Sequence, residues 1–335
     1  VVTAFIFTAM MGAGPVIAIG VIVLPILMSL GIPKAIAMFT FMGSVSAGMY
    51  LNPVLQFSQL RAFICASDEM PEFTFSWYTS HWGIYALIIS VVVVSVLTGI
   101  YLKIGKKSHA WAAQAAPKNT QTDAPLIALI LPIVPVVLKI WLDFSVIGGF
   151  VIAGFAALFL CGKMNKSFKE NCQLVNKLYY DGVVDTAPLV GFLLTLPMFN
   201  TCASYASPYF KEVLGGIMPT NEYVVCALFA ALSILGFFRG PLTLYGCGAA
   251  TLGVLSSVGH FSVPFLFCVF TIPATTVNVG SCITQSWIAW GLAYTKVESR
   301  DYLKLSIPFA YICSILLYIL TAFTVTGLGP EWFLS

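Results

Sequence analysis

The sequence predicts an all-α polytopic membrane protein, with roughly 8–10 transmembrane segments in two repeats that contain broken helices or re-entrant hairpins. Three observations favour this class. Hydrophobic residues make up 59% of the chain and charged residues only 9%, whereas about a quarter of the residues in a soluble domain are charged. The mean hydropathy is +0.94. The 335 residues suffice for that many apolar crossings of about 20 residues each. A net charge of +3 without a basic face argues against nucleic acid as a partner.

The first part of the chain contains three apolar runs, two of which are interrupted. The run from Val1 to about Leu30 is too long for one span and contains Gly12-Ala13-Gly14-Pro15. We expect a broken helix or a helical hairpin there, because proline lacks the backbone N–H donor. Ala35–Val54 ends at Asn52-Pro53, and Gly83–Lys103 is an uninterrupted span rich in Val and Ile. Since the chain begins inside an apolar stretch, we also expect residues upstream of it.

The remaining predicted segments include both plain and interrupted ones. A tight turn at Asp143 joins two plain spans, and Arg239-Gly240-Pro241 stops a later one. The last interrupted run contains Pro264, Pro273 and Asn278. In order, the segments are Pro125–Leu142, Ser145–Cys161, Gly182–Gly216, Tyr223–Phe238, Leu242–Val258, Phe261–Tyr294 and Leu305–Thr326. A short charged loop at Lys296–Lys304 precedes the last of them.

The interrupted segments recur 226 residues further along the chain with the same order of features. Each copy has a Gly-Pro break, then a helix of small residues, then an interrupted helix with an Asn, then a Gln. The matched pairs are Gly14-Pro15 and Gly240-Pro241, Gly20 and Gly246, Asn52 and Asn278, and Gln59 and Gln285. We therefore predict two repeats that are joined by a connecting region.

The predicted domain organisation follows from these repeats and from the loops between them. The basic loops are assigned to the cytoplasm by their lysines, as argued below. The five parts are a first repeat at 1–102 that is incomplete at its N-terminus, a basic cytoplasmic loop at 103–123, a connecting helical hairpin at 124–162, a second basic cytoplasmic loop at 163–180 and a second repeat at 181–335.

The interrupted helices mark the candidate site, because non-helical backbone at membrane depth survives only inside protein or beside a water-filled cavity. Secondary transporters build substrate sites from such breaks in matching positions of two repeats. Amide oxygens there can ligate Na⁺, and amide N–H groups can meet a carboxylate. The alternative is that these side chains join packed helices through hydrogen bonds. The candidates for substrate binding are Asn52, Asn200, Thr201, Arg239, Asn278 and Ser281, and those for the coupling cation are Ser44, Ser46, Thr275 and Thr276.

Arg239 is one of three arginines in the chain, and it adjoins the break at Gly240-Pro241. Its guanidinium could neutralise an anionic substrate through a bidentate contact. The alternative is an interfacial anchor whose guanidinium reaches the lipid headgroups. Both interpretations remain open from the sequence.

The charges of the loops predict the orientation of the chain. Residues 103–123 and 163–177 each hold four lysines, whereas residues 62–81 hold three acidic residues and neither Lys nor Arg. Since cytoplasmic loops collect Lys and Arg, we predict both basic loops inside and residues 62–81 outside. Two predicted spans separate the basic loops, which returns the chain to the same side.

Several of these motifs resemble a known group of carriers. Gly12-Ala13-Gly14-Pro15, followed by Leu24-Pro25 and Leu30-Gly31-Ile32-Pro33, resembles the ion-transporter superfamily. That group includes citrate, C4-dicarboxylate and gluconate permeases. The resemblance implies inverted repeats, re-entrant hairpins, a homodimer, and symport of an organic anion with H⁺ or Na⁺. It also implies a place in the bacterial cytoplasmic (inner) membrane.

Shorter matches carry the same resemblance into the candidate site. Asn200-Thr201 resembles part of the Ser-Asn-Thr motif that builds substrate and sodium sites in the dicarboxylate members. Phe199 stands where that motif has its Ser. Asn52-Pro53 and Thr275-Thr276-Val277-Asn278 are looser matches.

We therefore expect a secondary active transporter of small organic anions such as citrate, dicarboxylates or gluconate, without enzymatic activity. Its partners would be the anion, the bilayer and a second copy of the chain, and it would need no cofactor beyond H⁺ or Na⁺. No GxxxxGK[ST] phosphate loop is present for ATP hydrolysis. One alternative is an ion channel, which would show a ring-forming filter instead of two distant breaks. A second is an intramembrane enzyme, but the chain has no HExxH motif.

Overall fold

The structure is a computed structural model that describes residues 1–10, 12–64, 72–105, 125, 127–128, 131, 134, 138, 146–165, 167–184, 198, 201–202, 205, 209, 212, 219–258 and 261–327. These residues are predominantly helical, and none of them belongs to a β-strand. The chain divides into two compact units, Val1–Gln114 with Thr195–Ser335, and Ala115–Leu194. The predicted all-α class is confirmed.

Proline residues begin two short π-helical segments, Pro53–Phe57 and Pro273–Val279, and a third lies at Thr79–Gly83. A 3₁₀ segment, Ser233–Arg239, follows one of the helices. The helices are α1 (Val2–Phe7), α2 (Ala13–Ser29), α3 (Lys34–Met49), α4 (Ser58–Ile64), α5 (Phe75–Tyr78), α6 (Ile84–Gly105), α7 (Val146–Leu160), α8 (168–184), α9 (Glu222–Ala231), α10 (Gly248–Val258), α11 (Val263–Ile272), α12 (Ser286–Thr295) and α13 (Ser299–Thr324).

The predicted interruption of the first apolar run is confirmed, since residues 8–12 separate α1 from α2. Gly12 has a φ of +110°, which glycine adopts without a steric penalty. Pro15 lies in the first turn of α2, where its missing N–H has no helical partner to lose. Pro25 lies inside α2 without ending it.

The core of the first unit consists of α3 and of α11 with its π-helical extension. Every residue at 41–50 and at 261–282 is buried. α3 packs against α1, α2, α6, α13 and the extension of α11. Small side chains permit this close approach: a Cβ on Gly280 would lie only 2.7 Å from the Cβ of Ser46. These two segments therefore cross almost backbone to backbone.

Two helical segments are long and apolar enough to cross a membrane, Phe75–Lys103 with 29 residues and Ser299–Thr324 with 26. The pair Glu222–Ala231 and Ser233–Arg239, bent by 64°, would make a third span. α13 exposes Ile312, Leu316, Ile319 and Phe323 on one face, as expected for contact with lipid chains. The chain is a membrane protein by these properties, while the larger number of spans stays a prediction.

Both long spans begin earlier than the sequence predicted. The first incorporates residues 75–81 of the predicted outer loop, and Thr74 caps it by accepting a hydrogen bond from the Trp77 N–H (3.3 Å). The second begins at Ser299, inside the charged segment that was predicted as a loop. Charged side chains are compatible with a helical first turn outside the hydrocarbon, where Lys304 and Asp301 form an ion pair of 2.7 Å.

The second unit contains α7, a helix that lies within the predicted span at 145–161, and α8. The 15 residues of α7 are fewer than a full crossing requires, so the span itself stays a prediction. Residues 163–180, which were predicted to form a basic cytoplasmic loop, contain most of α8, which covers 168–184. The Glu170 carboxylate caps the start of α8 by accepting a hydrogen bond from the Ser167 N–H (3.3 Å), which is one of the two bonds of a capping box. The lysines of this segment therefore lie on a helix or beside it.

Candidate substrate and cation site

The first break follows α3 at Asn52-Pro53. Because Pro53 has no N–H, the Met49 carbonyl instead accepts a hydrogen bond from the Asn52 N–H (3.1 Å). The next carbonyl, that of Tyr50, accepts from the Tyr78 hydroxyl (2.9 Å). The chain then continues as a π-helical turn into α4, which leaves Asn52 and Gln56 buried beside the break.

The second break begins at Pro273, which cannot donate to the carbonyl of Val269. The Tyr318 hydroxyl of α13 donates to that carbonyl instead (3.2 Å). Other carbonyls of this segment also accept side-chain donors, so its irregular backbone is well paired. These bonds are Ser281 Oγ to Thr276 O (3.1 Å), Trp287 Nε1 to Val279 O (3.3 Å), Tyr302 OH to Gly280 O (2.7 Å) and Ser306 Oγ to Ser281 O (3.3 Å).

The two breaks meet through direct hydrogen bonds. The Ser46 hydroxyl donates to the Thr275 carbonyl (3.0 Å), and the Gln56 amide donates to the Thr275 hydroxyl (2.7 Å). The hydroxyls of Tyr50 and Thr276 share a further hydrogen bond. We call the buried side chains at this crossing the polar cluster; its members are Ser46, Tyr50, Asn52, Gln56, Thr275, Thr276, Asn278 and Ser281.

Asn278 differs from the other members of the cluster. Its side chain is 1% exposed, and neither the nitrogen nor the oxygen of its amide has a hydrogen-bond partner. Among the residues that the structure describes, only Asn278 leaves two buried side-chain atoms unpaired. The Gln56 Oε1, in the same cluster, is also unpaired. Buried polar groups are nearly always paired in proteins, so these unpaired atoms make Asn278 and Gln56 candidates for contact with a ligand.

Arg239 lies at the end of the bent span, in contact with the end of the second break. Its guanidinium donates to the Gln285 side-chain oxygen (2.7 Å) and to the Tyr245 carbonyl (3.1 Å). Phe238 and Arg239 have φ values of +53° and +61°, a region that favours glycine. The Phe238 N–H donates to the Cys282 sulfur (3.1 Å). The guanidinium is therefore held beside the break by this strained turn.

The structure brings together most of the predicted candidates, but not all. Ser44 donates to the Thr40 carbonyl of its own helix (2.7 Å). Thr201 is exposed, and no hydrogen bond among the described residues joins it to the polar cluster. Asn200 lies outside the described residues. Hydrogen bonds of the cluster involve Ser46, Asn52, Thr275, Thr276 and Ser281. Asn278 is buried in the same π-helical segment as Thr275 and Thr276.

Sequence reasoning missed Tyr50 and Gln56, and it noted Gln285 only as a matched residue. The offset of 226 residues contained a signal for Tyr50, because it pairs Tyr50 with Thr276, its hydrogen-bond partner. Gln56 lies four residues after Asn52, where one turn of helix brings it to the same side.

Comparisons of the chain with family models, with curated proteins and with solved structures found no match. The resemblance to the ion-transporter superfamily therefore remains a prediction from the motifs.

Proposed function

We propose that this protein is a secondary active transporter of small organic anions, coupled to H⁺ or Na⁺, and that the polar cluster is its substrate and cation site. The observation that supports this proposal most directly is the unpaired amide of Asn278, buried where two broken membrane segments cross. Discontinuous helices that meet at one site are typical of such carriers.

The chemistry of the cluster suits both ligands. Hydroxyl and amide oxygens are ligands for a hard cation, as the side-chain oxygens of Gln56, Thr275 and Asn278 would be for Na⁺. Amide and hydroxyl donors can receive a carboxylate. The cluster itself has no formal charge, so Arg239 at the end of the second break would supply the positive charge that an anion requires.

The hydrogen bond between Tyr50 and Thr276 also supports the proposed repeats. These residues are 226 positions apart, the offset that relates Asn52 to Asn278. Two equivalent residues touch each other only if they lie near the axis that relates the repeats. Inverted repeats, a homodimer and a place in the bacterial inner membrane belong to the same proposal.

Helix packing alone explains the cluster less well. Polar side chains that only join helices gain their stabilisation from paired donors and acceptors. The Asn278 amide gains none, although it is buried as deeply as its neighbours. A substrate or cation that contacts this amide would pair it.

The experiment is uptake by proteoliposomes under an imposed Na⁺ or H⁺ gradient, with labelled citrate, succinate and gluconate as substrates. We expect saturable accumulation of at least one anion that ceases when the gradient is collapsed. Flux that follows the anion's own gradient without saturation would indicate a channel and contradict the proposal. No uptake of any of these anions under either gradient would contradict the proposed substrate class.

A further inference from the structure

A cavity of about 280 Å³ lies between the first turns of the span Phe75–Lys103 and the end of α13. Its lining combines hydroxyl and imidazole groups with apolar side chains. The lining residues are Ser80, His81 and Tyr85 from the span, and Leu320 and Thr324 from α13.

The cavity lies at the boundary between the hydrocarbon and the lipid headgroups. The span Phe75–Lys103 has 29 residues, which make about 43 Å of helix, whereas the hydrocarbon is about 30 Å thick. About 7 Å of helix at each end therefore lies among the headgroups, and His81 lies about 9 Å from the first residue. Thr324 is the last residue of α13. The Trp82 indole donates to Thr321 Oγ1 (3.0 Å), which places these two helix ends at the same level.

The orientation and the tautomer of His81 are fixed by the preceding turn. Its ring stacks on that of Trp77, with centroids 4.5 Å apart and planes inclined by 11°. Its Nδ1 lies 2.9 Å from the Trp77 carbonyl oxygen. Because that oxygen is an acceptor, Nδ1 must carry the proton, and the Nε2 of the neutral ring is then an acceptor.

The Ser80 and Thr324 hydroxyls also use their protons within the protein. Ser80 Oγ donates to the Trp77 carbonyl (3.0 Å), and Thr324 Oγ1 donates to the Leu320 carbonyl (2.8 Å). A hydroxyl has one proton and two lone pairs, so each of these oxygens can still accept a hydrogen bond. The cavity therefore offers three acceptors whose own protons are engaged elsewhere. The Tyr85 hydroxyl both donates and accepts, so it can act as a fourth.

Toward the centre of the membrane, the cavity continues into an apolar and exposed surface of the same two helices. On α6 this surface follows Tyr85 at helical intervals, and on α13 it precedes Leu320 in steps of four residues. Ser90 Oγ and Cys313 Sγ, 3.4 Å apart, join the two helices at this level. An acyl chain can lie along this surface. Its exposed residues are Ile88 and Val92 on α6, and Ile312 and Leu316 on α13.

We propose that this cavity binds the headgroup of phosphatidylethanolamine, whose ammonium donates to Ser80 Oγ, Thr324 Oγ1 and His81 Nε2. A primary ammonium has three N–H donors and no acceptor, which matches the three acceptors of the cavity. Its positive charge strengthens these hydrogen bonds and is attracted to the face of an aromatic ring such as that of Tyr85. The acyl chains then lie against the apolar surface between α6 and α13.

Other common headgroups fit these acceptors less well. The quaternary ammonium of phosphatidylcholine has no N–H group, so it cannot donate to any of them. The hydroxyls of a glycerol headgroup can donate, but without the positive charge that strengthens the bond. This inference does not depend on the proposed transport function.

The test is native mass spectrometry of the full-length protein in detergent, with an equimolar mixture of phosphatidylethanolamine and phosphatidylcholine that carry the same acyl chains. We expect the parent protein to retain phosphatidylethanolamine about tenfold more than phosphatidylcholine, the factor that one hydrogen bond to a charged group provides. The double variant His81→Phe/Thr324→Val removes two acceptors and keeps an aromatic ring that can stack on Trp77. This variant should retain both lipids about equally.

Ser95→Ala is the matched control. Ser95 is exposed on α6, and its hydroxyl donates to the Val91 carbonyl of its own helix (2.7 Å), as that of Thr324 does to Leu320, but it does not line the cavity. Its lipid preference should equal that of the parent protein. Ser80→Ala, which removes a single acceptor, should give an intermediate preference and serves if the double variant does not fold.

Three results would overturn the proposal. Equal retention of the two lipids by the parent protein would show that the cavity does not recognise the ammonium of the lipid. A preference that persists in the double variant, or in Ser80→Ala if only that variant folds, would place the lipid elsewhere on the protein. Free ethanolamine that displaces phosphatidylethanolamine at equal concentration would show that the cavity binds a soluble amine and not a lipid.

Discussion

An amide that is buried without a hydrogen-bond partner destabilises the folded state by about 1–3 kcal/mol. Replacing Asn278 by Leu, which has a similar volume, should therefore leave the thermal stability unchanged or raise it. Asn278→Ala leaves a cavity and should lower stability slightly. Both variants should lose most of their uptake activity, because the amide is the group that we assign to the ligand. Melting in detergent and initial uptake rates in proteoliposomes measure the two effects.

A matched control for Asn278 is Ser314→Ala. The Ser314 hydroxyl is also buried and unpaired, but it lies on the long helix α13, outside both breaks. We expect this variant to keep the parent's uptake. If Asn278→Ala instead lost uptake and stability to the same extent, a role in helix packing would be favoured.

The next prediction concerns the replacement of Arg239 by lysine. Arg239→Lys should raise the half-saturation concentration for the anion about tenfold, because losing one hydrogen bond to a charged group costs about 1.5–3 kcal/mol and a lysine lacks the planar fork. The assembled state, followed by size-exclusion chromatography, should not change. Substrate-saturation curves in proteoliposomes measure the shift.

Arg300→Lys is the control for this substitution, since Arg300 is exposed in the first turn of α13. Its half-saturation concentration should match that of the parent protein. If Arg239→Lys showed the same unchanged kinetics, Arg239 would be removed from the substrate site and the interfacial anchor would be the better interpretation.

At the scale of single residues, the sequence indicates which residue types gather at the breaks, but it does not indicate in which direction each side chain points. Ser44 and Ser46 lie two positions apart on α3, so they face different sides of the helix. Ser46 reaches Thr275, whereas Ser44 bonds to its own helix. To choose between them, one must know how α3 is rotated about its own axis. The small and apolar residues on all sides of this helix do not define that rotation.

At the scale of elements, the second break requires a donor for the carbonyl that Pro273 leaves free. Tyr318→Phe removes that donor and should lower the free energy of unfolding by about 1–3 kcal/mol, the cost of an unsatisfied buried acceptor. In a Pro273→Ala background the backbone N–H of residue 273 could donate to Val269 instead. The loss caused by Tyr318→Phe should then be smaller. Thermal or chemical unfolding of the four proteins forms a double-mutant cycle.

Tyr311→Phe provides a control on the same helix. Its hydroxyl donates to the Ala231 carbonyl, which does not belong to the second break. The effect of this substitution should be the same with Pro or Ala at position 273. If Tyr318→Phe were equally costly in both backgrounds, the Tyr318 hydroxyl would not be compensating for the proline.

Helix boundaries show where element-level prediction failed. Charge suggested loops at 163–180 and 296–304, yet α8 and α13 occupy much of both. The Ser167 and Glu170 spacing of a capping box was the local signal for the first helix. For the second, the lysine and aspartate three residues apart could have indicated a solvated helical turn.

At the scale of the whole molecule, composition determined the class but not the crossing that forms the site. The contact between Ser46 and Thr275 joins residues 229 positions apart. Hydrophobicity predicts that both segments are buried, but it does not predict which helices cross. The matched offset of 226 residues came closest to predicting this crossing, because it relates the two breaks to each other.

Orientation in the membrane is the property of the whole molecule that remains to be measured. Because lysine-rich loops stay in the cytoplasm, Lys107→Cys should resist an impermeant thiol reagent in intact cells and react after permeabilisation. Ser76→Cys, at an exposed position in the first turn of the span Phe75–Lys103, should react in intact cells, because it lies at the end opposite to Lys107. Replacing the exposed Cys172 and Cys202 by Ser in the parent removes their background labelling. Lys177→Cys on α8 should behave like Lys107→Cys, since two predicted spans separate them. Labelling of Lys107→Cys in intact cells would show that the orientation is the reverse of the predicted one. Opposite results for Lys107→Cys and Lys177→Cys would show that the number of crossings between the two positions is odd.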